Sequence, residues 1–133
     1  MKKRLVVGIS GASGVIYGVR MLGLLKETDY ETHLIISDSG RRNIEIETEF
    51  TAGDVEAMAD HVYEDRDVGA ALASGSFLTC GMVVAPCTIK TLSGIANSYT
   101  NNLLVRAADV NLKEGRKLVL WSGKPPFTRD ISG

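Results

Sequence analysis

Apolar positions follow two different spacings along this chain, and the two spacings predict strands and helices in turn. Leu5 to Ile9 is a short, nearly continuous apolar run closed by a serine and a glycine, which is typical of a strand buried on both faces. Val15 to Leu25 repeats its apolar residues at helical spacing. Glu31 to Ser37 then predicts a second strand. This order of strand, glycine turn, helix and strand predicts a right-handed βαβ unit.

The later part of the chain extends the alternation. Gly81 to Ala85 predicts a third buried strand that Pro86 ends, and Lys117 to Trp121 predicts a fourth. Thr88 to Ala96 and Asn101 to Lys113 predict the helices between these strands. We therefore predict an α/β fold, Rossmann-like or flavodoxin-like, in which a doubly wound parallel sheet lies between two helical layers (three-layer αβα).

Three segments give weaker patterns. Gly40 to Thr48 is polar and weakly helical, and its class stays open. Thr51 to Ala59 predicts a short helix because it begins with good capping residues. Asp60 to Ser76 is charged and then rich in small residues, so we expect it to be mostly loop.

Beyond Trp121 the pattern changes. Two adjacent prolines and the lack of an apolar period predict no regular element there. We therefore expect one α/β domain over residues 1–121 and an irregular tail over 122–133.

Composition and charge narrow the function classes. Fifteen basic and sixteen acidic residues give a net charge of -1, which argues against nucleic acid as a partner. No apolar run approaches the roughly 20 residues that span a bilayer, and the basic start leads directly into the glycine turn, so we expect a cytoplasmic protein without membrane contact. Cys80 and Cys87 lack the spacing of metal ligands, so we expect reduced, buried thiols and no metal site.

The first strand and the first helix are joined by a glycine-rich turn. Gly8, Gly11 and Gly14 form GxxGxxG there, so that backbone amides can approach a phosphate at the positive end of the helix. Ser10 and Ser13 add hydroxyl groups that we expect at the same mouth. A tight turn that binds nothing is the alternative.

Two further polar segments follow predicted strands. Because ligands of open α/β sheets bind beyond the carboxyl ends of the strands, we expect Ser13, Ser37 and the segment from Pro86 to Thr91 to line one crevice. Ordinary helix capping by the last segment is an equal alternative. A dinucleotide enzyme with Asp38 as the ribose ligand is less favoured, because GxxGxxG differs from GxGxxG.

Four single residues are candidates for chemistry. Arg106 interrupts a helix face of small and apolar residues, and it is either a phosphate clamp or, by a slight preference, a surface residue. Glu47 is a candidate general acid or base, but its glutamate neighbours favour a solvated face. His33 and His61 show no nearby partner that indicates catalysis.

Six motifs recur together in the order of one known family. They are GISGASG at 8–14, YGVR at 17–20, ETE at 47–49, SGSF at 74–77, PCTIKTLSGI at 86–95 and RAADVNLKE at 106–114. From Lys3 to about Leu120 the chain resembles the flavin prenyltransferases, formerly described as aromatic-acid decarboxylase subunits.

The resemblance implies an activity and its partners. The expected reaction transfers a dimethylallyl group from dimethylallyl monophosphate to FMN, giving the prenylated flavin that UbiD-type decarboxylases use. FMN is then a substrate rather than a redox cofactor. No metal is implied, since cations and hydrogen-bond donors stabilise the departing phosphate. The family forms large homo-oligomers (dodecamers) with sites between subunits.

The resemblance also assigns roles to residues. Those implied to line the FMN site are Gly11, Ala12, Ser13, Ser37, Thr88, Ile89, Lys90, Thr91 and Arg106. Ser13 and Glu47 are expected beside the flavin ring and Lys113 near the prenyl phosphate, which makes these three the catalytic candidates.

The resemblance ends near Trp121. Members of the family continue with an Arg-Glu pair and a longer segment that helps to hold the prenyl phosphate, whereas here Gly123 and Lys124 follow and the sequence ends at Gly133. We therefore expect a carboxyl-terminally truncated form that binds FMN without full turnover. The alternatives are a non-catalytic FMN-binding or assembly subunit and, less favoured, an NAD-dependent oxidoreductase.

Overall fold

A six-stranded sheet organises the chain, which the computed structural model describes over residues 3–11, 13–97, 102–121 and, for the backbone alone, 128–130. The strands are β1 (Lys3–Ile9), β2 (Tyr30–Ile36), β3 (His61–Glu64), β4 (Gly81–Val84), β5 (Lys117–Trp121) and β6 (Thr128–Asp130). Their order in the sheet is β3-β2-β1-β4-β5-β6. The first five are parallel and β6 pairs antiparallel with β5. The strand order reverses between β1 and β4, which is where ligands of such sheets bind.

Helices cover both faces of the sheet. They are α1 (Val15–Leu25), α2 (Asp38–Glu47), α3 (Ala52–Glu56), α4 (Ile89–Ala96) and α5 (Leu103–Lys113), with a short 3₁₀ turn at Ala71–Ala73. Side chains alternate across each strand, so Val7 packs with the α1–α3 layer while its neighbour Val6 packs with α4 and α5. Both valines are fully buried. The α/β fold with three layers is therefore confirmed.

Side-chain caps place the starts of four helices. Ser37, Thr51, Thr88 and Asn102 each accept a hydrogen bond from a backbone amide in the first turn of α2, α3, α4 and α5. Such caps typically stabilise a helix by about 1 kcal/mol. The segment whose class the sequence left open is thus the helix α2, which buries little more than Gly40 and Ile44.

One expectation about regular structure is wrong and another is incomplete. The segment from Asp60 to Ser76 is mostly loop as predicted, but it also contains β3, an edge strand with three of its four residues exposed and therefore no apolar period. The tail after Trp121 contains β6, which backbone pairing with β5 holds without any apolar pattern. The placing of a domain boundary at residue 121 stays a prediction.

The cysteines differ from expectation in their burial. Cys80 is exposed and Cys87 is half-buried, and both are free thiols. Burial raises the pKa of the Cys87 thiol to about 11, so this group is neutral near pH 7 and is a poor nucleophile. No helix in the described ranges has the length and apolarity needed to cross a membrane.

Candidate functional site

A cavity of about 450 Å³ opens at the carboxyl edge of the sheet, where the sequence predicted a crevice. Its volume lies in the range of small-molecule sites. The lining residues come from α2, α4 and α5, mostly from the starts of these helices, and from the loop after β3: Ser37, Asp38, Ser39, Arg42, Asp65, Arg66, Thr88, Lys90, Thr91, Gly94, Asn102 and Val105. Four residues predicted for the site, Ser37, Thr88, Lys90 and Thr91, are thus brought together.

The amino termini of α2 and α4 are suited to an anion. Ser37 Oγ accepts from the Gly40 amide at 3.0 Å, and Thr88 Oγ1 accepts from the Thr91 amide at 3.0 Å. The Ser37 amide donates to the Ile9 oxygen and the Thr88 amide to Ser10 Oγ, so the two amides that follow each cap residue are the ones left outside the intrahelical ladder. The helix dipole adds positive potential at the same place.

The start of α5 is already occupied by a carboxylate. Asp65 accepts the Leu103 amide on its backbone oxygen at 2.7 Å and the Leu104 amide on Oδ1 at 2.9 Å. Burial raises the pKa of Asp65, the Leu104 amide opposes that rise, and the nearby Asp38 carboxylate adds to it. An incoming anion is therefore favoured at α2 and α4 rather than at α5.

Charges around the cavity are mixed but favour a cationic surface. Arg42, Arg66 and Lys90 face it together with the carboxylates of Asp38 and Asp65. Because α5 engages Asp65, the cations at α2 and α4 can compensate a bound phosphate.

The glycine turn between β1 and α1 is pressed against α2. A Cβ on Gly11 would lie 2.6 Å from the carbonyl carbon of Ser39, and Asn43 Nδ2 donates to the Gly11 oxygen at 2.7 Å. Gly14 has φ +98°, a conformation that glycine adopts without strain, and its amide donates to Glu47 Oε1 at 3.2 Å. Glu47 therefore lies at the turn, although its side chain is exposed as the glutamate pattern suggested.

Ser10 connects the glycine turn to the start of α4 through hydrogen bonds. Its hydroxyl donates to the Pro86 oxygen at 2.7 Å and accepts from the Thr88 amide at 2.9 Å, and the residue is 1% exposed. The expectation that Ser10 offers its hydroxyl to the mouth of the site is therefore wrong. The hydroxyl is used internally to set the distance between the two halves of the site, while Ser13 is exposed on the turn.

Arg106 carries an unpartnered buried nitrogen. It lies in the first turn of α5, next to Val105 of the cavity lining, and its Nε has no hydrogen-bond partner among the described residues. Because leaving a buried N–H of a charged group unpaired is costly, an acceptor beside this nitrogen would be favourable. Arg106 is half-buried, so the choice between a phosphate clamp and a snorkelling surface residue stays a prediction.

Lys113 lies away from the cavity. It ends α5, whereas Arg106 begins it, and seven residues of helix separate them by about 10 Å. Its ammonium pairs with Asp109 Oδ2 at 2.9 Å. One copy of the chain does not bring Lys113 to Ser13 and Glu47, so its role stays a prediction for a site between subunits.

Two of the predicted residues remain to be placed. Ile89 is on the first turn of α4 with its side chain 87% exposed. Ala12 lies outside the described residues.

The sequence analysis missed an aromatic pair beside the turn. Tyr17 and Trp121 pack edge to face with ring centroids 4.9 Å apart, and the Trp121 ring would lie 3.6 Å from a Cβ on Gly14. The Trp121 oxygen also accepts the Cys87 amide at 2.7 Å. Trp121 ends a predicted strand, and this position at the carboxyl edge of the sheet could have identified it as a candidate site residue.

A doubly wound α/β domain with a ligand-sized cavity at the carboxyl edge of its sheet is the class that this fold and site define. The family model "Flavoprotein" matches residues 1–129. The chain is 57% identical over 126 residues to the flavin prenyltransferase UbiX of Escherichia coli K12, covering 94% of this chain and 67% of that protein. It is 54% identical to the flavin prenyltransferase UbiX of Thauera aromatica, covering 93% and 64%.

Solved structures agree with these relatives. AnUbiX (PadA1) in complex with FMN and dimethylallyl pyrophosphate matches with a TM-score of 0.89 and 41% identity, over 90% of this chain and 64% of that one. A dodecameric FMN-dependent UbiX-like decarboxylase from Escherichia coli O157:H7 matches with a TM-score of 0.89 and 48% identity, over 93% and 68%. The chain spans about two thirds of the length of these relatives. It belongs to the flavoprotein family and, within it, to the flavin prenyltransferases.

Proposed function

We propose that this chain holds FMN at the carboxyl edge of its sheet and that its assembly transfers a dimethylallyl group from dimethylallyl monophosphate to the flavin. The observation that carries the proposal is the cavity lined by the capped starts of α2 and α4 and by Lys90. The buried Nε of Arg106, which has no partner among the described residues, supports it. Relatives named flavin prenyltransferases, and a matching structure that contains FMN and dimethylallyl pyrophosphate, support it.

The residues of the cavity fit a flavin phosphate. Ser37, Thr88 and Thr91 supply hydroxyl groups, and Lys90 supplies a cation. Arg106 does not line the cavity itself but follows Val105 of its lining, and its buried Nε lacks a partner among the described residues. A monophosphate ester needs several donors and compensating positive charge, and this set provides both. FMN supplies the ring that accepts the dimethylallyl carbon.

The glycine turn is placed to act on the ring end of the flavin. Gly11 lets the backbone approach closely, and Ser13 offers an exposed hydroxyl. Glu47 orients the turn through the Gly14 amide, and its free oxygen can hold a proton beside the ring. As the prenyl carbon–oxygen bond breaks, cations and donors must stabilise the departing phosphate.

A second copy of the chain completes the proposed site. Lys113 ends α5 near the amino ends of the strands, whereas the glycine turn follows the carboxyl end of β1. A lysine beside the prenyl phosphate therefore has to come from a neighbouring subunit. The dodecameric relative supports such a homo-oligomer. A UbiD-type decarboxylase would use the prenylated flavin, and we place this chemistry in the cytoplasm.

Flavin chemistry is preferred to the NAD alternative. Asp38 lines the cavity, but it lies in the first turn of α2, behind the Ser37 cap, rather than at the end of β2. The family match and the relatives support the flavin function and not the NAD-dependent one.

The test is an anaerobic incubation of the purified chain with FMN, a reductant and dimethylallyl monophosphate, followed by mass spectrometry of the flavin. We expect the flavin to gain the mass of one dimethylallyl group, and not the binding without full turnover that the sequence suggested, because the relatives are named flavin prenyltransferases. Glu47→Gln should lower the rate by at least about 100-fold because the proton-holding group is lost. Glu49→Gln, which changes an exposed neighbour in the same way, should leave the rate unchanged.

Two results would contradict the proposal at different levels. Flavin that binds but never gains mass would make the chain a non-catalytic FMN-binding or assembly subunit. Failure to retain FMN at all would reject both functions.

A further inference from the structure

Three potential metal ligands converge on one face of the β2–β3 edge. Glu31 Oε1 lies 2.7 Å from His33 Nε2 and 3.5 Å from His61 Nε2. One ligand atom from each of the three residues lies within 4.8 Å of the others. The sequence pattern indicated no partner for either histidine, and that interpretation is wrong because the prediction lacked β3.

The strand register builds this cluster. His33 is directly opposite His61 in the parallel β2–β3 pair. Glu31 and His33 are two residues apart on β2, so they share a face of the sheet. The two imidazole rings stack with centroids 4.6 Å apart and an interplanar angle of 15°, which points both Nε2 atoms at the same carboxylate oxygen.

We propose that Glu31, His33 and His61 bind a late first-row divalent cation, for which Zn²⁺ is the probe. Two histidines and one glutamate form a known ligand set for zinc, with bonds of about 2.0–2.2 Å. In a tetrahedral site these bonds separate neighbouring ligand atoms by about 3.4 Å.

The separation of Glu31 from His61 already matches this value. The shorter distance from Glu31 Oε1 to His33 Nε2 would have to increase by less than about 1 Å to reach the separation of ligand atoms in a tetrahedral site. The Glu31 side chain is 28% exposed and has room to rotate.

A second hydrogen bond prepares His33 for this role. The Tyr63 hydroxyl lies 2.8 Å from His33 Nδ1. When Nδ1–H donates to the Tyr63 hydroxyl, Nε2 keeps its lone pair and directs it at the cation. Hydrogen bonds of this kind orient the imidazoles of metal-binding histidines. Without a cation, the other tautomer lets Tyr63 donate to Nδ1 and Nε2–H donate to Glu31.

The site is open to solvent on one side. The His61 side chain is 52% exposed, whereas His33 is buried. Of the three ligands only Glu31 also lines a second cavity, of about 530 Å³, so water as a fourth ligand would approach from the exposed side of His61. This site lies in the amino half of β2, away from the nucleotide cavity at the carboxyl edge, so it does not depend on the proposed flavin chemistry.

Arg4 is the cation that competes for the same carboxylate. Its Nε is 3.7 Å from Glu31 Oε1, longer than a hydrogen bond, and its guanidinium lies over the Phe77 ring at 4.1 Å. The ring contact can hold Arg4 in place when Glu31 turns toward a metal ion.

The test is a calorimetric titration of the chelator-treated full chain with Zn²⁺, supported by the visible absorption of a Co²⁺ complex. We expect one ion per chain with a dissociation constant in the micromolar range or tighter. Tyr63→Phe should weaken binding by about 10- to 100-fold because only the outer partner is lost. His61→Ala and Glu31→Gln, which each remove a ligand, should weaken it further.

Controls separate this site from a cysteine site and from misfolding. Cys80 is an exposed thiol beside the second cavity, so Cys80→Ser should leave zinc affinity unchanged. His61→Ala alters an exposed side chain and should keep the far-UV circular dichroism and the FMN affinity of the parent chain. A zinc affinity that His61→Ala leaves unchanged would overturn the proposal. So would a loss of zinc binding in Cys80→Ser, or no zinc binding by the parent chain.

Discussion

Replacing Gly18 with alanine is expected to destabilise the chain by about 3 kcal/mol. Gly18 is buried in α1, where a Cβ would overlap the carbonyl oxygen of Ala85 and lie 3.2 Å from its carbonyl carbon. That oxygen belongs to the backbone just after β4, so it cannot move aside as a flexible side chain would. The change would separate α1 from the sheet at the switch point, and urea unfolding of the purified chain measures the loss.

Gly23→Ala is the matched control in the same helix. A Cβ on Gly23 meets no atom within 4 Å, so only helix propensity changes, and stability should rise by up to about 1 kcal/mol. Equal effects of the two substitutions would show that α1 does not pack against β4 as described.

Gly11→Ala is expected to weaken FMN binding by about 100-fold. The new methyl group would lie 2.6 Å from the backbone of Ser39, so the turn and the start of α2 would have to separate. Displacing the start of α2 would cost two of its hydrogen bonds to the phosphate, at about 1.5 kcal/mol each, and this loss corresponds to the expected factor. Flavin fluorescence quenching measures the affinity.

Gly53→Ala provides the comparison for this prediction. Gly53 lies in α3, where a Cβ would be 3.7 Å from the nearest atom, and alanine should leave FMN affinity unchanged. Unchanged affinity in Gly11→Ala, with the fold intact, would mean that the glycine turn does not contact the flavin.

The central part of the fold is predictable from the sequence because it is buried. The strands β1, β4 and β5 contribute residues to the core, so their apolar runs mark them. The helix α1 has the bounds that its apolar spacing predicts. The order of these elements defines a doubly wound sheet, and the chemistry of its carboxyl edge follows from that topology.

The edges of the sheet are less predictable for a physical reason. β3 exposes most of its side chains and β6 is held by backbone pairing, so neither requires an apolar pattern. Without β3, nothing in the sequence places His61 beside His33. The Glu31 cluster is therefore visible only in the folded chain.

The candidate site was predictable in outline and not in its contacts. The positions of Ser37 and Thr88 after predicted strands indicated the crevice, because strand ends meet at one edge. The inward bond of Ser10 and the burial of Arg106 depend on how α4 and α5 pack, which no local pattern reports. The roles of Glu47 and Lys113 come from the family resemblance.

An FMN titration of the purified chain by flavin fluorescence, with Arg106→Ala beside the parent, tests the central claim most directly. We expect micromolar binding by the parent and no competition from NAD. Arg106→Ala should weaken binding by about 10- to 100-fold, because a charged hydrogen bond contributes about 1.5–3 kcal/mol. Lys26→Ala, which removes an equal charge at the far end of α1, should match the parent. No quenching by the parent, or equal affinity in Arg106→Ala, would contradict the assignment of the cavity to FMN.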